Sequence, residues 1–267
     1  SLSIYPLANT IISIIKFLPL QGKMYYCVRH LSYYCKDLHF LKGAVIMNWD
    51  NIWQVVKVGK IKSWGILGGT FDPVHYGHLI AAEYACHNFK LDKVLLIPAA
   101  SPPHKELEQV QPAMHRYQMV QLAVKSNPCL EVSPVEMERK GLSYTVDTLA
   151  YLQGKFPEVE FFFIVGADSL FFMHSWKEPG RLAELCRFIV VTRPGYKIER
   201  NAPSLGRLPD IIWDRMLQME IPGLDISSSD IRQRVAAGKP IKYLLPPEVE
   251  EYIFEQGLYR GDKYLER

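Results

Sequence analysis

A chain of 267 residues, 48% apolar and 22% charged, has the composition of a core-burying globular protein, with length for one large domain or two small ones. A net charge of +3 is too mild to imply nucleic-acid binding; it suits an anionic small-molecule substrate without establishing one. The five cysteines are odd in number and form no CxxC, which argues against a disulfide framework or a structural zinc site and for a reducing compartment.

Residues 1–60 are rich in Tyr, Ile and Leu, without a clear period or turn grammar. "IISIIKFLPL" is too short for a membrane span and carries Lys16, and no basic region precedes it as a secretory signal would require. Met47 is a plausible translation start, which would make residues 1–46 an upstream-encoded extension; residues 1–60 as a whole are expected to lie outside the catalytic fold, which is assigned to residues 61–267.

From Lys62 the chain alternates strand and helix. "SWGILGG" predicts a buried strand ending at Gly68 and Gly69, and a helix is expected from about His78. "KVLLIPAA" is a second strand, stopped by Pro98. A loop then leads into an amphipathic helix from about Ala113, and "LEVSPVEM" is a third strand. Ser143 is placed as the N-cap of the next helix. "VEFFFIVGAD" is a near-continuous apolar run, as a parallel strand covered on both faces would have. "RLAELC" and "RFIVVTRPG" add a helix and a strand, and "IIWDRMLQMEIPGLDIS" reads as an interrupted strand. Ser228 or Ser229 is expected to cap the following helix, Gly238 to stop it, and "PPEVEEYIFEQGLY" to close the fold as a helix. This alternation predicts an α/β doubly wound parallel sheet, with ligands beyond the carboxyl ends of the strands.

The segment "GILGGTFDPVHYGHL" carries the chemistry. Gly68 and Gly69 would allow positive φ and close approach to a ligand, Pro73 would stiffen the turn, and Gly77 would clear space before the helix. A helix start there is an anion site, and His75 and His78 can both point at the anion. HxxH without a neighbouring Cys, and outside an HExxH helix, is a poor zinc signature. GxGxxG and GxxxxGK[ST] are both absent.

Gly68–Pro73 followed by His75-Tyr76-Gly77-His78 resembles the signature of the HxGH nucleotidyltransferase superfamily, and Ile226–Arg232 ("ISSSDIR") is similar to its ISSTxIR motif, with Ser229 in place of Thr. Pro102–Lys105 (PPHK), Ser143–Thr145 (SYT), and Gly166–Asp168 followed by Trp176 resemble the bacterial nicotinate-nucleotide adenylyltransferases over residues 62–260. The resemblance implies a Rossmann-like fold of the HUP type in a cytoplasmic enzyme of NAD biosynthesis. It also implies transfer of the adenylyl group of ATP to nicotinate mononucleotide, releasing pyrophosphate. In that scheme His75 and His78 meet the ATP phosphates as the catalytic pair. Gly69, Thr70, Phe71, Ser228, Ser229 and Arg232 complete the phosphate cradle. Gly166 and Asp168 meet the ribose or adenine. Lys105, Thr145 and Trp176 take the mononucleotide's phosphate, carboxylate and ring. Mg²⁺ is expected to travel with ATP, with no dedicated protein metal site. Nucleic acid and membrane are not expected as partners, and a homo-oligomer stays open. The alternatives are a nicotinamide mononucleotide acceptor or another phosphate acceptor, and a non-catalytic nucleotide-binding regulator.

Overall fold

The computed structural model describes residues 61–102, 110–139, 141–196, 198–200, 205, 208–261 and 264, and of the first sixty only the backbone of five strands. The chain divides into two compact units, Ser1–Ile61 and Lys62–Arg267. In the first, β1 (Ile15–Leu20) pairs antiparallel with β2 (Lys23–Val28), and β3 (Leu38–Leu41), β4 (Ala44–Trp49) and β5 (Ile52–Lys57) form a separate antiparallel sheet.

The second unit is a six-stranded parallel sheet of β6 (Lys62–Gly69), β7 (Lys93–Pro98), β8 (Leu130–Val132), β9 (Val159–Gly166), β10 (Arg187–Thr192) and β11 (Met216–Glu220). Its order is β11-β10-β9-β6-β7-β8, so the chain winds outward first one way and then the other. The point of reversal lies between β6 and β9, which pair in register from Lys62–Val159 to Ile66–Phe163. Ligands of such sheets sit beyond the carboxyl ends at that reversal.

The strand sequences show why both faces are covered. Leu67, Val94, Leu96, Phe162, Ile164 and Ile189 point into one core, and Ile66, Leu95, Ile97, Phe163, Val165 and Val190 into the other. This is the two-residue period of a pleated strand, with apolar residues on both sides. Helices α1 (Tyr76–Asn88), α2 (Ala113–Val124), α7 (Ser228–Ala236) and α8 (Pro247–Glu255) cover the first face. Helices α3 (Thr145–Lys155), α5 (Pro179–Leu185) and α6 (Asp210–Asp214) cover the second. The short α4 (Ala167–Leu170) follows β9 directly. Gly65 is fixed by packing: a Cβ there would lie 2.8 Å from the Val94 side chain. Among the described residues no helix is long and apolar enough to cross a membrane.

Several local expectations change. Gly68 and Gly69 lie inside β6, and the positive φ of the loop falls on Phe71, at 50°. Helix α1 starts at Tyr76 with His75 as its N-cap, two residues ahead of the expected start at His78. The N-caps of α3 and α7 are Tyr144 and Ser227, not Ser143 and Ser228 or Ser229. Gly238 follows the end of α7 at φ +65°, as a C′ glycine should. "LEVSPVEM" is extended only over Leu130–Val132, and "DIIWD" forms helix α6 ahead of β11. Cys86 of α1 and Cys129 before β8 form a disulfide, which the cysteine spacing argued against. Its partners are 43 residues apart and meet only through tertiary packing, which local spacing does not record.

Candidate active site

A cavity of about 420 Å³ opens at the reversal point of the sheet. Its wall includes His75, Gly77 and His78 from the β6–α1 segment, Gly166 at the end of β9 with Asp168 just beyond it, and Thr192 at the end of β10 with Arg193 and Tyr196 beyond it. The His75 and His78 rings stack with centroids 3.8 Å apart, and Phe71 meets His78 edge-on at 5.0 Å. Gly77 is needed for this, because a Cβ there would lie 3.0 Å from His75 Nδ1. The His75 backbone N–H donates to His78 Nδ1 at 3.3 Å. This bond anchors the His78 ring at Nδ1, on the backbone of the residue that caps the helix.

His75 is buried, and its Nδ1 has no hydrogen-bond partner within the protein. Burial lowers its pKa from 6.5 to about 4, so the ring is neutral at pH 7. The sign of the stability effect follows. Above pH 6.5 neither folded nor unfolded chain protonates this residue. As the pH falls from there to about 4, the unfolded chain gains a proton that the folded chain refuses. The expected loss of stability is about 3 kcal/mol between pH 7 and pH 4. Urea unfolding at both pH values would measure it, and His75→Asn should remove that share; an equal acid loss in the variant would contradict the assignment.

The two distant motifs meet at the β6–α1 loop. Ser228 Oγ donates to the Pro73 carbonyl at 2.9 Å. One Arg232 guanidinium nitrogen donates to the Asp72 carbonyl at 2.8 Å and another to Ser229 Oγ at 3.1 Å. Ser227 Oγ caps α7 by accepting the Asp230 amide. The second motif therefore braces the loop that carries the first. The α1 terminus is less open than the helix rule suggests, because the Tyr76 amide donates to Leu244 O and the His78 amide to His75 O.

A second cavity, of about 490 Å³, is lined by Ser143, Tyr144, Thr145, Ser169, Phe172, Trp176 and Lys177. It adjoins α4: Asp168 lines the first cavity and Ser169 the second. Thr145 is the first residue of α3, and Trp176 is half-buried with its ring edge-on to Phe163 at 5.9 Å. Lys177 Nζ bonds both Asp147 carboxylate oxygens, at 3.1 and 3.0 Å, and sits 4.8 Å from the Tyr144 ring centroid. Ser143 Oγ accepts the amides of Ala100 and Ser101, at 3.1 and 3.2 Å, fixing the end of β7 against this cavity. Below it Thr148 Oγ1 donates to Glu136 at 2.7 Å, and burial raises the Glu136 pKa.

The structure thus gathers His75, His78, Gly166 and Asp168 around one cavity and Thr145 and Trp176 around the other. Thr70, Phe71, Ser228, Ser229 and Arg232 belong to the loop and its brace. Lys105 lies outside the described residues. Among the described residues, no group of three or more His, Cys, Asp or Glu could hold a metal ion. The donors around the first cavity, imidazole, amide and guanidinium, suit phosphate oxygens. They fit a Mg²⁺ carried by those phosphates and not one caged by carboxylates.

Sequence reasoning missed the buried network behind the loop. Asp72 is 2% exposed; its carboxylate accepts the Tyr259 hydroxyl at 2.7 Å and the Gln111 amide at 3.4 Å. Burial, then the Asp72 charge, push the Tyr259 phenol well above its ordinary value, so it stays a donor. Arg116 is 1% exposed and shares the buried stripe of α2 with Met119, Val120 and Val124. A charge on an apolar stripe was the one available signal.

Comparison with known proteins places this geometry. A cytidylyltransferase-like family model matches residues 66–234. A protein of Moorella thermoacetica, described as "Probable nicotinate-nucleotide adenylyltransferase", is 49% identical over 207 residues, 77% of this chain and 94% of its own length. A protein of Thermomicrobium roseum with the same description is 44% identical over 196 residues, 73% of this chain and 91% of its own. Among solved structures, the Plasmodium falciparum nicotinic acid mononucleotide adenylyltransferase complexed with NaAD superposes with a TM-score of 0.62. That match is 23% identical and covers 74% of this chain and 97% of the other, which speaks for the shared fold. With identities near half over nearly the full length of the relatives, and a parallel sheet that carries both motifs to one loop, the chain belongs to the nicotinate-nucleotide adenylyltransferase family.

Proposed function

We propose that residues 62–267 transfer the adenylyl group of ATP to nicotinate mononucleotide, giving nicotinate adenine dinucleotide and pyrophosphate. The observation that carries this reading is the pair of adjoining cavities at the carboxyl ends of the sheet, one walled by His75 and His78, the other by Thr145 and Trp176. An oxygen of the mononucleotide phosphate attacks the α-phosphorus of ATP. The new P–O bond forms as the bond to the β-phosphate breaks, and pyrophosphate leaves with the electron pair. The attacking group is already an anion and needs no general base. The work is positioning and charge stabilisation.

In this scheme the buried His75, neutral at pH 7, and the His78 imidazole contact the phosphates. Thr70, the Phe71 amide and the first turn of α7, with Ser228, Ser229 and Arg232, hold the remaining oxygens. Gly69 and Phe71 shape the loop: a Cβ at Gly69 would lie 3.1 Å from the Phe71 ring. Gly166 and Asp168 face the nucleoside of ATP. Thr145 receives the nicotinate carboxylate at the α3 terminus, Trp176 stacks on the pyridine ring, and Lys105 pairs with the mononucleotide phosphate. Mg²⁺, bound through the phosphates, supplies neutralisation of their charge. Supply of ATP and the mononucleotide makes a cytoplasmic location part of the same reading, and residues 1–60 are not required for the reaction.

A pyrophosphate-release assay with both mononucleotides tests this. Nicotinate mononucleotide is expected to give kcat/KM at least about tenfold above nicotinamide mononucleotide, a difference of about 1.4 kcal/mol. A protein starting at Met47 should match the full chain. Equal or better use of the amide would overturn the acceptor assignment.

A further inference from the structure

Three backbone carbonyls converge on the buried side chain of Arg116. Its Nε donates to Gln111 O at 2.8 Å, one terminal nitrogen to Thr70 O at 2.8 Å, and the other to Ala100 O at 3.3 Å. Thr70 follows β6 and belongs to the loop that leads to His75 and His78. Ala100 follows β7, and its amide is held by Ser143 Oγ, the first residue of the second cavity's wall. A direct bond from the Ala99 amide to Gly69 O, at 2.8 Å, runs alongside. Arg116 lines neither cavity. It stands between them, joined to one through Thr70 and to the other through Ala100 and Ser143.

A guanidinium is a rigid planar fork, so three bonds to three carbonyls fix those carbonyls relative to one another. A lysine ammonium on a flexible stem fixes no such pattern. Transfer between two bound phosphates needs the reacting atoms about 3–3.5 Å apart and in line, and a displacement of about 1 Å costs roughly 10²-fold in rate. The relative placement of the two cavities is therefore a quantity the protein must hold, separately from the shape of each.

We propose that Arg116 is a positioning residue that sets the register between the ATP cavity and the acceptor cavity. The inference rests on the adenylyl-transfer reading. Its signature is a loss of turnover without a loss of either substrate's own binding.

The test is Arg116→Lys in the full chain, with ATP alone and nicotinate mononucleotide alone titrated by calorimetry, and kcat measured by pyrophosphate release. The expected result is a kcat at least about tenfold lower, approaching 10²-fold, with each Kd within about threefold of the parent. A kcat within about twofold of the parent, at a temperature where circular dichroism shows the variant folded, overturns the inference. So does a fall in kcat accompanied by a matching rise in both Kd values, which would mean collapsed cavities and not lost register. If Arg116→Lys does not fold, Arg116→Ala is assayed with millimolar guanidinium; recovery of kcat supports the proposal and no recovery overturns it. The unsubstituted protein is the control. Absence of turnover there overturns the reaction itself, whereas normal turnover there with an unaffected variant overturns only the role of Arg116.

Discussion

His78→Ala is expected to lower kcat by about 10²–10³, the loss of roughly 3–4 kcal/mol of transition-state stabilisation that follows removal of one preorganised donor. The geometry explains the size. His78 Nδ1 accepts the His75 amide, which anchors one edge of the ring. Its plane is set by His75 on one side and Phe71 on the other. In the proposed transfer a ring fixed in this way would need little reorganisation as charge develops on the α-phosphate. His78 is only partly buried, so alanine should leave the fold intact. Steady-state pyrophosphate release, beside ATP binding by calorimetry, would measure the effect. Turnover within about tenfold of the parent would refute the role.

Asp72→Ala is expected to destabilise the folded chain by about 3 kcal/mol, because it removes a buried carboxylate whose charge offsets that of the buried Arg116. It also removes the acceptor of the Tyr259 hydroxyl and of the Gln111 amide. For a unit of this length the shift in Tm should be on the order of 10 °C, measured by thermal denaturation. A Tm within about 3 °C of the parent would show that the network contributes little. Asp72→Asn, which keeps the shape and loses the charge, should fall between the two.

Much of the fold was legible because strands covered on both faces leave continuous apolar runs, and helices leave a longer period. "VEFFFIVGAD" and "KVLLIPAA" begin where β9 and β7 begin and run two residues past their ends. The pairing of the two motifs was legible as well: residues 155 and 160 apart in sequence do meet at the Asp72–Pro73 carbonyls. What failed was the assignment of hydroxyls. Ser143, Ser228 and Ser229 sit where N-caps sit, and local grammar cannot tell a cap from a brace. Their real partners are Ala100 and Ser101 for Ser143, Pro73 for Ser228 and Arg232 for Ser229, and three of these four bonds span more than 40 residues. "DIIWD" failed for another reason. Five residues with adjacent apolar side chains carry no decisive period, and packing against the second core chose helix. Tyr259 was invisible as a site residue, and Arg116 showed only as a charge on an apolar stripe, because their importance lies in a carboxylate and carbonyls supplied by other segments.

The Tyr259–Asp72 bond joins residues 187 positions apart. A ribosome makes the chain from the amino end at about 5–20 residues per second, so on the order of ten seconds or more separate the two ends of this bond during synthesis. The β6 loop with its histidines leaves the ribosome early and waits, unbraced, for α7 to bring Ser228 and Arg232 and for the C-terminal turn to bring Tyr259. The β6–α1 loop is thus written near the start of this unit and finished near its end. A chain terminated before Tyr259 carries the HxGH signature and lacks the hydroxyl that donates to the buried Asp72 carboxylate.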